Sequence, residues 1–294
     1  MLHFISYILI YPVIYLISIL PFRILYWVSD FLFFIFFYLV RYRKKLVLHN
    51  LEIAFPEKSP EERLRIRKEF YRHFVDLFME MIKTSKISGE EILKRMKTIN
   101  EKAFIKFLDE NPTTILMTSH HANYEWLLGL NQLLPYPGFV IYKKVENKYF
   151  NNYIIKTRSK FNCNLVPTKD ILALIEQNHI NSIPGLYGFA SDQSPKRSKI
   201  YHHSLFFGQK VPVHTSTEML AKKYNYPIVI LNTKKVGRGF YETSFEVLAE
   251  EPRLFPDYEI TDLFMAKLEK QIREQPEYYF WTHNRFKYVN QDKN

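Results

Sequence analysis

The sequence predicts an α/β protein: a mixed, largely parallel sheet sandwiched by helices, preceded by a hydrophobic membrane helix or a kinked helical hairpin. Three observations carry this. From Thr113 onward, short apolar runs alternate with helical patterns over about 180 residues, the order that builds parallel sheets. Leu2 to Leu20 holds no charged side chain, and beyond Pro21-Phe22-Arg23 the stretch Ile24 to Val40 is apolar apart from Asp30. The one compositional shift falls near residue 42, which divides a membrane-anchoring segment (1–42) from a globular domain (43–294).

Each apolar stretch at the amino end is about the minimum needed to cross ~30 Å of hydrocarbon. One span with an interfacial helix and a Pro-kinked hairpin are both open. A cleaved signal peptide fits poorly, because no Lys or Arg precedes the apolar run, the run is too long and no small-residue cleavage site follows. Arg41, Arg43, Lys44 and Lys45 come next and place that end on the cytoplasmic side by the positive-inside rule.

Val47 to Ala54 reads as a short helix stopped at Phe55-Pro56. Ser59-Pro60-Glu61-Glu62 then opens a longer one, with Ser59 as cap, Pro60 at the first helical position and acids in the first turn. Leu64, Ile66, Phe70, Phe74, Leu77, Phe78 and Met81 give it one apolar stripe. Glu90 to Met96 and Glu101 to Leu108 are shorter helical pieces. Thr114 to Thr118 is a buried strand entered from Asn111-Pro112. Ser119 caps a helix predicted from near Ala122 through Trp126, Leu127 and Leu128.

Gly138 to Tyr142 is a second strand, ending in Lys143-Lys144, and Phe150 to Phe161 a helix holding Lys156, Arg158 and Lys160. Asp170 to Gln177 is helical, and Gly185 to Ala190 a third strand closed by Ser191-Asp192-Gln193-Ser194-Pro195. Phe206-Phe207-Gly208 is followed by Gln209-Lys210-Val211-Pro212-Val213, a loop-to-strand transition, and Thr217 to Lys223 is a helix. Pro227 to Thr233 and Tyr241 to Leu248 pair through a glycine hairpin. Ile260 to Glu274 is amphipathic and stops at Pro276, before the closing run Trp281-Thr282-His283-Asn284-Arg285-Phe286-Lys287.

Composition bounds the function. Lys+Arg of 41 against Asp+Glu of 30 gives +11 over 294 residues, which favours an anionic partner: a phosphate-bearing substrate, an acidic carrier protein, an anionic membrane or nucleic acid. The membrane segment and the lack of any RRM, zinc or helix-turn-helix pattern weigh against nucleic acid. Aromatic content of 17% suits a chain lying against lipid. Cys163 is the sole cysteine, so no intramolecular disulfide forms, and it reads as a small apolar filler.

The chemistry concentrates in Thr113 to Trp126, TTILMTSHHANYEW, where a strand's C-terminal end delivers His120, His121 and Glu125. A neutral imidazole steadied by a carboxylate is a general base. Glu125 serves His121 at i,i+4 spacing on a helix, or His120 if the chain bends there, since a straight helix turns His120 about 140° away. A capped helix with a surface histidine pair is the alternative. Asn123, Tyr142, Lys143, Arg158 and Asp192 are the candidate substrate-binding residues; cations at strand ends suit a phosphate-bearing substrate. No G-x-S-x-G elbow favours an acyl-enzyme, and no Cys/His spacing or glycine-rich loop implies a metal or nucleotide, so no cofactor is called.

Taken together, these residues resemble the lysophospholipid acyltransferase superfamily and, within it, the bacterial lipid A biosynthesis (lauroyl/myristoyl) acyltransferases. The resemblance covers nearly the whole chain: the apolar amino end, Asn50-Leu51 and Ala54-Phe55-Pro56, the His-x4-acid signature His120 to Glu125, Asp192 to Pro195, Phe206-Phe207-Gly208 and the run Trp281 to Lys287. It implies O-acyl transfer from an acyl carrier protein thioester to a hydroxyl of a lipid A precursor at the inner membrane. His120 would be the general base and Glu125 its orienting partner, with Arg158 and Asp192 on the substrate side. Acylation of another hydroxylated lipid, such as an aminolipid, and non-catalytic binding of anionic lipid are the alternatives.

Overall fold

The computed structural model describes residues 2–289. Helices α1 (Leu2–Ile19) and α2 (Phe22–Phe34) are separated at Leu20-Pro21, and a π-helical turn, Ile35–Val40, prolongs α2. Pro21 has no N–H to continue the ladder, so the chain bends there. Lys83 fixes the bend by donating to the carbonyls of Ser18 (2.9 Å) and Leu20 (2.6 Å). Phe22–Val40 is long and apolar enough to cross a membrane, and Trp27, Phe31 and Leu39 along it are each about two-thirds exposed.

Helix α3 (Lys44–Ala54) leads to α4 (Pro60–Lys83), whose start carries the full capping box predicted for it: Glu62 N–H donates to Ser59 Oγ and Ser59 N–H to the Glu62 carboxylate. The buried face of α4 includes Ile66, Phe70, Phe74 and Leu77 from the predicted stripe, while Leu64 and Phe78 stay exposed. Short α5 (Gly89–Arg95) runs into β1 (Met96–Thr98), and α6 (Glu101–Glu110) into β2 (Thr113–Thr118). Then come β3 (Gly138–Tyr142), α7 (Lys148–Ser159), β4 (Cys163–Pro167), α8 (Ile171–Ile180) and β5 (Gly185–Ala190). Hairpin β6 (His203–Phe206) and β7 (Gln209–Pro212) turns at Phe207-Gly208, both with positive φ. The chain closes with α9 (Ser216–Tyr224), β8 (Ile228–Gly237), β9 (Phe240–Ala249) and α10 (Glu259–Glu274).

The main sheet has seven strands in the order β1-β9-β8-β2-β5-β3-β4. Every neighbouring pair is parallel except the hairpin β8/β9, so the predicted mixed, largely parallel sheet is what forms. Strand β2 lies at the centre, as its apolar Thr-Thr-Ile-Leu-Met-Thr predicts, with Ile115 and Met117 fully buried. β1, β4 and β6 were not predicted as strands. β1 and β6 are three and four residues long, too little for a periodic signal, and the mixed Cys-Asn-Leu-Val-Pro of β4 carries none.

The predicted helix from Ala122 does not form. Ala122 has φ +53, outside helical space, and the chain runs through turns into a 3-10 segment, Trp126–Leu133. Backbone pairing across the fold enforces the bend: Ala122 N–H donates to Tyr278 O at 2.9 Å, and Phe280 N–H to His120 O at 3.1 Å.

Candidate active site

Two strand ends make the site. In the parallel register Thr118 lies opposite Ala190, so the residues two further along each chain, His120 and Asp192, emerge side by side. His120 Nδ1 stands 2.7 Å from Asp192 Oδ1. Asp192 is 1% exposed, and the His120 side chain 21%. A buried aspartate this close is ionised and accepts, so Nδ1 carries the proton and Nε2 is left as the basic nitrogen. Burial works against a charged ring, but Asp192, by charge and hydrogen bond, and Glu125 behind it outweigh that and hold His120 above the usual imidazole value. Burial likewise disfavours the Asp192 carboxylate, yet His120 and backbone donors bring it below the usual range.

The predicted hydrogen-bond partner of His120 is therefore corrected. Glu125 is engaged by Arg158 from α7, which donates from Nε (3.1 Å) and Nη2 (2.5 Å) in a fork. The left-handed turn at Ala122 breaks the helix on which a His–Glu contact depended, and Glu125 acts on the imidazole through its field rather than by contact.

His120, Glu125, Arg158, Tyr142 and Lys143 all line one cavity of about 380 Å³, whose other walls include Phe104, Leu116, Leu130, Leu186 and Leu231. Five of the predicted site residues thus meet on one wall system. Asp192 and Asn123 do not line it. Asp192 stands behind the imidazole. Asn123, fully buried, donates from Nδ2 to Glu80 at 2.6 Å and accepts the Trp126 N–H at 3.0 Å, which caps the 3-10 segment. Its predicted role on substrate gives way to a structural one.

His121 is buried with its ring nitrogens 3.2 Å from Thr233 O and 3.1 Å from Gln275 O, and burial pushes it down to about 4. It pins β8 and the end of α10 to the turn at Ala122 and offers substrate nothing. Cys163 is buried, as a filler would be, and burial pushes its thiol up to about 12. Among the described residues no three His, Cys, Asp or Glu side chains gather as metal ligands.

A central imidazole with a buried aspartate at its back, on the wall of an apolar cavity, is a layout suited to acyl transfer. Comparison with known proteins decides the family. The profile described as bacterial lipid A biosynthesis acyltransferase matches residues 1–288. The chain belongs to that family. It is 26% identical over 255 residues to the lipid A biosynthesis lauroyltransferase of Escherichia coli K12, covering 83% of this chain and 79% of the relative. It is 24% identical over 270 residues to the palmitoleoyltransferase of the same organism, with the same coverage, and as similar to a lipid A biosynthesis acyltransferase of Shigella flexneri. The resemblance read from the motifs is thereby borne out, and the protein is an acyltransferase of lipid A biosynthesis.

The closing run of this acyltransferase has a visible task that spacing alone does not reveal. Arg285, 1% exposed, donates from Nη1 to Ser194 Oγ (3.0 Å) and Pro212 O (2.8 Å), and Ser194 N–H donates to His283 Nε2 (3.1 Å). These bonds hold the segment directly after Asp192. Asn50 donates to the carbonyls of Trp281 (2.9 Å) and His283 (2.8 Å), so α3 buttresses the same strap. Phe280, whose backbone holds His120, also packs its ring 5.9 Å from the imidazole. The order of these motifs in the chain was the only signal for their joint role.

Proposed function

We propose that this protein is a membrane-bound O-acyltransferase of the inner membrane that moves a fatty acyl chain from an acyl carrier protein thioester to a hydroxyl of a lipid A precursor. The observation that carries the reading is the 2.7 Å His120–Asp192 hydrogen bond on a cavity with apolar walls. The acceptor hydroxyl gives its proton to His120 Nε2 and attacks the thioester carbonyl. Asp192 steadies the imidazolium as it forms. The tetrahedral adduct then collapses by breaking the C–S bond, and the departing thiolate takes the proton back. The walls formed by Leu116, Leu130, Leu186 and Leu231 suit the acyl chain. Tyr142, Lys143 and Arg158 face the polar part of the substrates, Arg158 braced by Glu125.

The apolar stretch Phe22–Val40 and the cations directly after it support attachment to the bilayer, with the catalytic domain on the cytoplasmic side. The test is acyl transfer in membranes supplied with acyl carrier protein thioester. His120→Ala and Glu125→Ala should each cut transfer by at least about a hundredfold at normal expression, the first by removing the base and the second by freeing Arg158; full activity in both would sink the proposal. Mass spectrometry of lipids from a strain lacking the chain should show lipid A short of one acyl group. An unchanged lipid A with another lipid class under-acylated would reassign the acceptor.

A further inference from the structure

Just beyond the apolar helix the chain builds a strongly basic pocket. The π-helical turn ends on Arg41 in left-handed backbone, and Arg43 is left-handed as well (φ 54 and 50), so the chain folds back sharply before α3 begins at Lys44. The resulting cavity, about 490 Å³, is lined by Tyr38, Arg41, Arg43, Lys44, Lys45 and Arg67. Five of those six side chains are cations and none is an acid.

None of the five forms an ion pair among the described residues, whereas Arg238, Lys222, Arg273 and Lys267 elsewhere all do. Four of them rest on neutral groups. Arg41 donates to Tyr38 O (3.3 Å), Arg43 donates to Thr282 O (2.9 Å), and Lys44 Nζ sits 3.8 Å from the centre of the Phe37 ring. The Arg67 guanidinium also approaches Phe37, and its Nε is buried with no hydrogen-bond partner. Burial first, then the like charges of Arg67 and Arg41, hold Lys44 below the usual lysine value. No side chain caps the first turn of α3 and no acid stands in it, so the positive end of that helix adds to the same field.

Converging arginine forks and lysines without a counter-charge match phosphate oxygens. The pocket opens where Phe22–Val40 ends, the level of lipid headgroups if that helix is embedded. It is also close to the catalytic turn. Arg43 bonds the Thr282 carbonyl and the Phe280 N–H bonds the His120 backbone, so the two anchor points lie on one three-residue stretch of chain, at most about 11 Å long. We propose that this pocket is a phosphate subsite for a membrane lipid, and that it holds a phosphate of the acceptor while the acceptor's hydroxyl reaches His120. This deepens the acyltransferase reading and rests on it. A concave pocket at headgroup depth favours a lipid phosphate over the acidic surface of a carrier protein.

The test is the triple variant Arg41→Gln/Lys45→Gln/Arg67→Gln, which spares the Arg43–Thr282 bond, with thermal melting as the check on folding. The KM for a phosphorylated acceptor should rise by at least about tenfold, three interfacial charges having been removed, with the KM for the acyl carrier protein thioester unchanged. A rise in the donor KM instead would hand the pocket to the carrier protein and overturn the proposal, as would no change in either. A second arm needs no turnover. In a His120→Ala background, the chain should prefer phosphatidylcholine vesicles doped with phosphatidic acid over phosphatidylcholine alone, inorganic phosphate should compete only weakly, and the triple change should erase the preference. Loss of that preference together with no acyl transfer by the native chain would keep the subsite and discard the catalytic reading; an unaltered preference, or full displacement by inorganic phosphate, refutes a lipid phosphate subsite whatever the activity.

Discussion

Replacing Asp192 with asparagine separates charge from shape at the back of the His120 imidazole. Asparagine keeps the size and an acceptor oxygen, so the 2.7 Å contact to Nδ1 can persist while the negative charge goes. A hydrogen bond to a charged group contributes about 1.5–3 kcal/mol, against about 1 for a neutral one. The substitution therefore removes roughly 1–2 kcal/mol of support from the imidazolium, about one pH unit at 1.36 kcal/mol per unit. The sign follows from the direction of the shift. His120 stands above the usual imidazole value with Asp192 in place, and a base works only when unprotonated. The acid limb of kcat/KM should lie above the ordinary value of about 6.5 in the native enzyme and move down by about one unit in Asp192→Asn. The plateau rate should fall roughly 5- to 30-fold, because the imidazolium of the transition state loses the same support. The assay is transfer of labelled acyl chain from carrier protein thioester to lipid A precursor in detergent micelles across the pH range. An acid limb that stays put or rises, or an unchanged plateau, would refute the assignment of Asp192 as the partner of His120.

Other outcomes follow from the same geometry. Asn123→Ala should leave Glu80 short of a donor and the 3-10 segment uncapped, lowering stability by about 1–3 kcal/mol in denaturant melts, with kcat falling more than substrate KM rises. Arg158→Lys cannot reproduce the fork on Glu125 and should lose most activity, while Arg158→Gln strands a nearly buried carboxylate and should cost about 3–5 kcal/mol of stability by chemical unfolding. The neutral burial of His121 makes the fold acid-sensitive. Its folded value of about 4 lies below the unfolded 6.5, so the unfolded chain takes the proton first; stability is complete above about pH 6.5 and falls as pH drops toward 4, by up to roughly 3 kcal/mol. Thermal melts of His121→Asn against pH should show that slope flattened.

Much of the fold was legible because its decisive strands are apolar runs between turn residues. Thr114 to Thr118, Gly138 to Tyr142 and Gly185 to Ala190 carry their own signal, as do the Ser59 capping box and the glycine hairpin at Gly237 to Gly239. Three-residue β1 and the mixed Cys-Asn-Leu-Val-Pro of β4 have no period to detect. Within the site, the nearness of His120 and Glu125 on one cavity wall was readable, since both sit in one short stretch. The partner of His120 was not. Asp192 lies 72 residues away, and only the register of β2 against β5 brings it near, a long-range pairing that local spacing cannot express. Ala122 misled for a related reason. Alanine favours helix locally, yet here Tyr278 and His73 bond its backbone and hold it left-handed.

The central claim is that His120 and Asp192 act as one base. A double-mutant cycle on acyl transfer tests it most directly. His120→Ala alone should cost at least about a hundredfold in kcat, and adding Asp192→Asn should cost almost nothing more, since residues that act as a unit are strongly non-additive. A double variant slower than His120→Ala by the full factor of Asp192→Asn, or a His120→Ala enzyme of native rate, would contradict it.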